Sequence, residues 1–128
     1  MDVFFNACQT GDVSAVTSLL SSIDPSDDDN WAIQLASNYG HVDVVKLLLT
    51  DPHVDPSVDG NWAIRAASYN GHIKVVYLLL TDLRVDPTVR NNYAIRWAKR
   101  NNHTEVVQLL TEYMYRLDGP IYNEGILT

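Results

Sequence analysis

The sequence predicts an all-α solenoid of four helix–turn–helix units joined by short hairpin-like loops. Two observations carry this reading. The first is a fixed period: Asp24-Pro25, Asp55-Pro56 and Asp86-Pro87 follow one another at steps of 31 residues. The same step takes Asn30 to Asn61 and Asn92, and Ala32-Ile33 to Ala63-Ile64 and Ala94-Ile95. It also takes His41 to His72 and His103, and Val44-Val45 to Val75-Val76 and Val106-Val107. A period of this length marks units that each bury an apolar face on the next. The second observation is helical spacing inside the period, where Val44, Val45, Leu48 and Leu49 form one apolar stripe.

The first unit (about 1–23) is degenerate. ACQTGDVSAVTSLLSSID (7–24) follows ASNYGHVDVVKLLLTDPHVD (36–55) with a two-residue deletion before Ile23, as expected of an end unit that shields the stack from water. Full units follow at about 24–54, 55–85 and 86–117, giving a repeat domain over 1–117 and a C-terminal tail over 118–128. In each full unit Asn30, Asn61 or Asn92 stands where a helix N-cap is wanted. Gly40 and Gly71 then end the first helix in a left-handed conformation, with Asn102 in that place in the last unit. A second amphipathic helix follows, stopped by Pro52 and the Asp-Pro pairs. The last helix is expected to run to about Leu117 and to break at Gly119-Pro120, with Met114 and Tyr115 helping to cover the final unit.

Composition narrows the function. The chain has 128 residues, 46% of them hydrophobic, enough for one core. No apolar run approaches the ~18–20 residues of a membrane span, and MDVFFNACQTGD lacks the basic start of a secretory signal. Cys8 is the only cysteine, so neither an intrachain disulfide nor a cysteine metal cluster is expected, and an intracellular location is. The net charge is −7, which argues against general nucleic-acid binding. That charge is uneven: residues 1–60 hold ten acids and one base (Lys46), residues 61–128 six acids and eight bases.

VDPSVDG (54–60) starts like a calcium-binding EF-hand loop, but the twelfth position, which needs a bidentate Glu, is Ala66. A turn built by Asp, Pro, Ser and Gly is the expected reading. His41, His72 and His103 on stacked helices lie roughly 8–10 Å apart, too far to share a zinc ion that needs ligands within ~2.1 Å. Cys8 reads as a small buried residue, and no phosphate-binding Gly-rich loop, GxSxG or HExxH occurs. Neither an enzyme nor a cofactor is expected. Asn102-His103-Thr104 is a glycosylation sequon expected to stay unused without secretion.

The segments WAIQLASNYGHVDVVKLLL (31–49), WAIRAASYNGHIKVVYLLL (62–80) and YAIRWAKRNNHTEVVQLLT (93–111) resemble the ankyrin-repeat pattern TPLHxA…GHxxVVxxLL over nearly all of residues 2–116. The second half matches closely; in the first, Trp or Tyr replaces Thr, Ala replaces Pro, and Gln or Arg replaces His. The step of 31 is shorter than the family's ~33, so the loops are expected to be short. The variant is similar to ankyrin repeats of large DNA viruses of amoebae and of some protists. The resemblance implies an ankyrin-repeat solenoid whose histidine column bonds one unit to the next. It also implies non-catalytic recognition of another protein, as an adaptor that engages host proteins if the origin is viral. A monomer is expected, with a structural or head-to-tail self-associating module as the alternative.

In that family the first helices and loops line a concave groove. Carried over, the groove takes Asp27, Asp28, Trp31, Asn38, Asp59, Trp62, Arg65, Tyr69, Arg90, Tyr93, Arg96 and Arg100 as partner-binding candidates, acidic at one end and basic at the other. The column Trp31, Trp62 and Tyr93 replaces the family's Thr and cannot make its hydrogen bonds. Packing between units is the favoured reading, a ladder of binding hot spots the alternative. Trp97, aligned with Leu35 and Ala66 at a family core position, is expected to use the room that small Ala66 leaves.

Overall fold

The computed structural model describes the backbone of residues 2–126 and the side chains of residues 2–116. Among the described residues eight helices follow in four pairs: α1 (Val3–Thr10) with α2 (Val13–Leu19), α3 (Asp27–Asn38) with α4 (Val42–Leu48), α5 (Val58–Tyr69) with α6 (Ile73–Leu79), and α7 (Val89–Arg100) with α8 (Thr104–Ile126). There is no strand among the described residues. First helices stack on first helices, and more closely than second on second, which curves the stack and puts the first helices on its concave side. The core lies between the rows. Ile33, Ile64, Val44, Val45, Val75, Val76, Leu48, Leu79 and Leu110 are fully buried there.

Hydrogen bonds repeat with the sequence and cross the unit boundaries. His41 Nε2–H donates to the Gln9 carbonyl (2.7 Å), His72 to Asn38 (2.9 Å) and His103 to Tyr69 (3.0 Å). Each ring thereby satisfies a carbonyl at the end of the preceding first helix, which has no intrahelical partner. Among the described residues no unit stands before the first, and Asp12 occupies the histidine's place. Its carboxylate caps its own helix instead, accepting from Ala15 N–H (3.1 Å).

The loops differ from the expected hairpins. Asp24, Asp55 and Asp86 each accept from the backbone N–H (2.9 Å) and the hydroxyl (2.6 Å) two residues on, Ser26, Ser57 and Thr88. These bonds hold the Asp24 carboxyl below its ordinary pKa. The chain then makes a left-handed turn of three residues, 28–30, 59–61 and 90–92, with φ between 54° and 61°. Regular helix starts only at Trp31, Trp62 and Tyr93. Asn, Asp and Gly tolerate this region best, and eight of the nine positions carry one of them; Arg90 is the exception. Asn30 and Asn61 therefore sit where the N-cap was expected but do another job. Their side chains accept from the N–H of Asp55 and Asp86 in the next unit, each at 2.8 Å.

Two further expectations are corrected. Pro52 is not what stops α4, because α6 stops at the same place with Leu83 in the equivalent position. The repeated agents are Thr50 and Thr81, whose hydroxyls donate to the carbonyls of Leu47 and Leu78 (2.6 Å each). Asp51 and Asp82 follow, accepting from the N–H groups of His53 (2.8 Å) and Arg84 (2.9 Å). Arg84 also bonds the Asp82 side chain, which holds that carboxyl below the usual range, and donates to Val54 O of the preceding unit (2.9 Å). The break at Gly119-Pro120 does not occur either: α8 is helical through Ile126. A proline's own φ near −65° is helical, so the residue fits the conformation although it removes one backbone bond and crowds the carbonyl four residues before it. Met114 packs against the core as expected.

Ser37 and Ser68 are fully buried and their hydroxyls have no hydrogen-bond partner among the described residues. The equivalent Lys99 is exposed, with no following unit over it among the described residues. Ser68→Ala removes an unpaired buried polar atom without opening a cavity. It is expected to raise stability by about 0.5–1 kcal/mol, which urea unfolding measures; a loss above that size means the hydroxyl has a partner.

Candidate functional site: the concave face

All twelve residues singled out from sequence reach solvent, and ten of them line three depressions along the first helices. At the N-terminal end, Asp28, Trp31 and Asp59, with Asp29 and Gln34, surround a depression of about 560 Å³. In the middle, Asn38, Trp62, Arg65, Tyr69 and Tyr93 line one of about 170 Å³. At the C-terminal end Arg96 and Arg100, with Trp97 and Lys99, line one of about 350 Å³. Asp27 and Arg90 are exposed on the loops beside them.

The aromatic column packs and stays accessible at once. Trp31 and Trp62 lie 6.4 Å apart between ring centroids, yet Trp31 is 40% exposed and Tyr69 41%. Tyr69 and Tyr93 both meet Trp97, at 5.3 and 5.9 Å. Guanidinium groups cover two of these rings: Arg65 stands over Tyr93 at 5.2 Å and Arg100 over Trp97 at 5.0 Å. Trp97 is half-buried on the groove floor and not in the core. Among the described residues no further unit covers it, so its ring is left to Tyr69, Tyr93 and Arg100. It was missed as a site residue although a Trp among Leu35 and Ala66 was the visible signal.

Position 34/65/96 has a structural duty that its variability concealed. Gln34 Nε2 donates to Asp29 O (2.9 Å). Arg65 donates to Gly60 O (2.9 Å) and Asp59 O (3.0 Å), and Arg96 to Asn91 O (2.8 Å) and Arg90 O (3.2 Å). The long side chain clamps the left-handed turn of its own unit by satisfying carbonyls that no helix bonds. Asn38 is likewise engaged, its Oδ1 accepting from Asn70 (3.0 Å). The side chains of Lys99 and Arg100 make no hydrogen bond or ion pair among the described residues, nor does any lysine or arginine side chain there form an ion pair with Asp27, Asp28, Asp29 or Asp59. The ion pairs there are His53–Asp51, Arg84–Asp55 and Arg84–Asp82.

Elsewhere the described residues hold no group of three or more His, Cys, Asp or Glu side chains placed for a metal ion. No helix among them is long and apolar enough to cross a membrane. Cys8 is fully buried. Burial, and secondarily the negative charge of Asp2, pushes its thiol pKa up to about 12. The thiolate is the reactive form, so at pH 8 iodoacetamide should leave the native chain unmodified and label it only in denaturant. Rapid native-state alkylation contradicts this burial.

The geometry has counterparts among known proteins. The sequence matches the family model described as ankyrin repeats (3 copies) over residues 4–91. A search of curated proteins finds no match. A chain in the crystal structure of the yeast ribosomal protein Rps3 in complex with its chaperone Yar1 is similar in fold. The TM-score is 0.69 at 24% identity, over 88% of this chain and 91% of that one. With the family model covering more than half of its length, the chain belongs to the ankyrin-repeat family.

Proposed function

We propose that the chain is a non-catalytic recognition module, an adaptor that binds another protein through its concave face. The observation that carries this reading is the accessible aromatic ladder from Trp31 to Trp97, flanked by charges that form no ion pair among the described residues. Trp, Tyr and Arg are the residues most enriched among binding hot spots. The scaffold is tied unit to unit by hydrogen bonds, so little order is lost on binding.

The structural duties of Arg65 and Arg96 decide which variants test this. Trp31→Ser combined with Arg100→Glu alters the groove at both ends and removes no side-chain hydrogen bond among the described residues. Affinity capture from lysate is expected to lose the wild type's partners with that variant, at equal melting temperature. Recovery of the same proteins by both would overturn the reading. The unbalanced charge also favours head-to-tail self-association, in which acidic and basic ends of two copies meet. Light scattering that shows growth at low salt and a monomer at high salt supports that alternative.

A further inference from the structure

We propose that the groove takes an extended, charge-segregated peptide segment of its partner, with basic residues over Asp28, Asp29 and Asp59 and acidic residues over Lys99 and Arg100. This rests on the concave-face reading and adds the chemistry and polarity of the ligand. The two ends of the face carry opposite charge, and neither is neutralised within the chain among the described residues. Between them the middle depression is lined by Trp62, Tyr69 and Tyr93, with Arg65 held over Tyr93 by its bonds to Gly60 O and Asp59 O, an aromatic lining suited to an uncharged side chain.

Three alternatives fit less well. A nucleic acid would lay phosphates along the whole groove, and the acidic end repels them. A cationic ligand seated on the C-terminal rings would have to displace Arg65 and Arg100, which already cover Tyr93 and Trp97. An all-acidic peptide gains at Lys99 and Arg100 but meets Asp28, Asp29 and Asp59. A segregated segment satisfies both ends, and complementary charge fixes its direction as well as its encounter rate.

Length follows from the architecture. Stacked helices stand ~8–10 Å apart, so the acidic and basic ends, two units apart, are separated by roughly 20 Å. An extended chain advances ~3.3–3.6 Å per residue, which places the two charge centres about six residues apart.

The chain carries its own reporters. Its three tryptophans, Trp31, Trp62 and Trp97, each line a different depression. Intrinsic fluorescence of the full chain is titrated with four synthetic nonapeptides: three lysines, Ala-Leu-Ala and three glutamates; the same composition with charges alternating; an all-lysine version; and an all-glutamate version. The segregated peptide is expected to bind roughly tenfold more tightly than the alternating one, with affinity falling as salt is raised. Lys99→Glu with Arg100→Glu is expected to shift the preference to the all-lysine peptide. Arg100→Gln serves as a milder variant should the double one melt early.

Equal affinity for segregated and alternating peptides overturns the proposal, as does tighter binding of the all-glutamate peptide or of a single-stranded oligonucleotide. Absence of binding by all four peptides overturns it too. In each of those cases lysate capture that still depends on Trp31 and Arg100 leaves the concave-face reading standing. Loss of that dependence removes both.

Discussion

Gly40→Ala is expected to be among the most damaging single-methyl additions available in this chain, costing about 3 kcal/mol. Gly40 has φ of +78°, and a Cβ built there would fall 2.5 Å from His72 Nδ1 and 2.7 Å from its Cε1. Two costs combine. Holding alanine in the left-handed region costs roughly 1–2 kcal/mol. Moving the His72 ring also breaks its bond to the Asn38 carbonyl (2.9 Å), worth about 1–2 kcal/mol. The damage lies at the boundary between the second and third units. In a stack stabilised by nearest-neighbour interfaces, urea unfolding should broaden or split as the two halves uncouple.

A double-mutant cycle separates the two causes. His72→Ala alone loses the hydrogen bond and some packing. In that background the added methyl meets no ring, so Gly40→Ala should cost only its backbone share, about 1–2 kcal/mol. The same cost in both backgrounds would mean that the Gly40–His72 approach does not matter. The column should behave alike, since Gly11 faces His41 and Gly71 faces His103 at 2.5–2.6 Å in the same way. Glycine and histidine are thus one device: the first clears the space through which the second reaches the preceding unit.

This device was half legible in the sequence. Gly40-His41 and Gly71-His72, with Asn102-His103 in the last unit, marked the helix end, and the resemblance to ankyrin repeats implied the inter-unit bond. The left-handed turns were harder to see. Their residues read Asp-Asp-Asn, Asp-Gly-Asn and Arg-Asn-Asn, and only the last column repeats. What they share is a backbone conformation, which several residue types satisfy. The clamp at Gln34, Arg65 and Arg96 was hidden similarly. Its positions vary in charge but agree in being long side chains with terminal N–H donors, and the carbonyls they meet are invisible in sequence. Pro52 misled in the opposite direction, a strong local signal present in a single unit, while Thr50-Asp51 and Thr81-Asp82 did the work in two. For the groove, sequence variation located the face, but it did not separate Arg100, whose side chain makes no hydrogen bond among the described residues, from Arg65 and Arg96, whose side chains do.

The asparagine column offers a test with its own control. Asn61 is 7% exposed, has φ of +58°, and accepts from Asp86 N–H at 2.8 Å. Asn61→Ala should cost about 2–3 kcal/mol: roughly 1–2 for alanine in the left-handed region and about 1 for the lost inter-unit bond. Asn61→Gly keeps the turn at no steric cost and loses only the bond, so about 1 kcal/mol is expected. Asn92 has the same conformation, with φ of +60°, but is exposed and accepts nothing from a following unit among the described residues. Asn92→Ala should therefore cost only the conformational share, and Asn92→Gly close to nothing. Chemical denaturation of the four variants ranks them directly. If Asn92→Ala proves as damaging as Asn61→Ala, the bond to the next unit contributes nothing and the column serves the turn alone. If Asn61→Gly matches Asn61→Ala, the reverse holds, and the column serves the interface. The expected intermediate ranking makes each asparagine both the closing residue of one unit's loop and the acceptor on which the next unit's loop is seated.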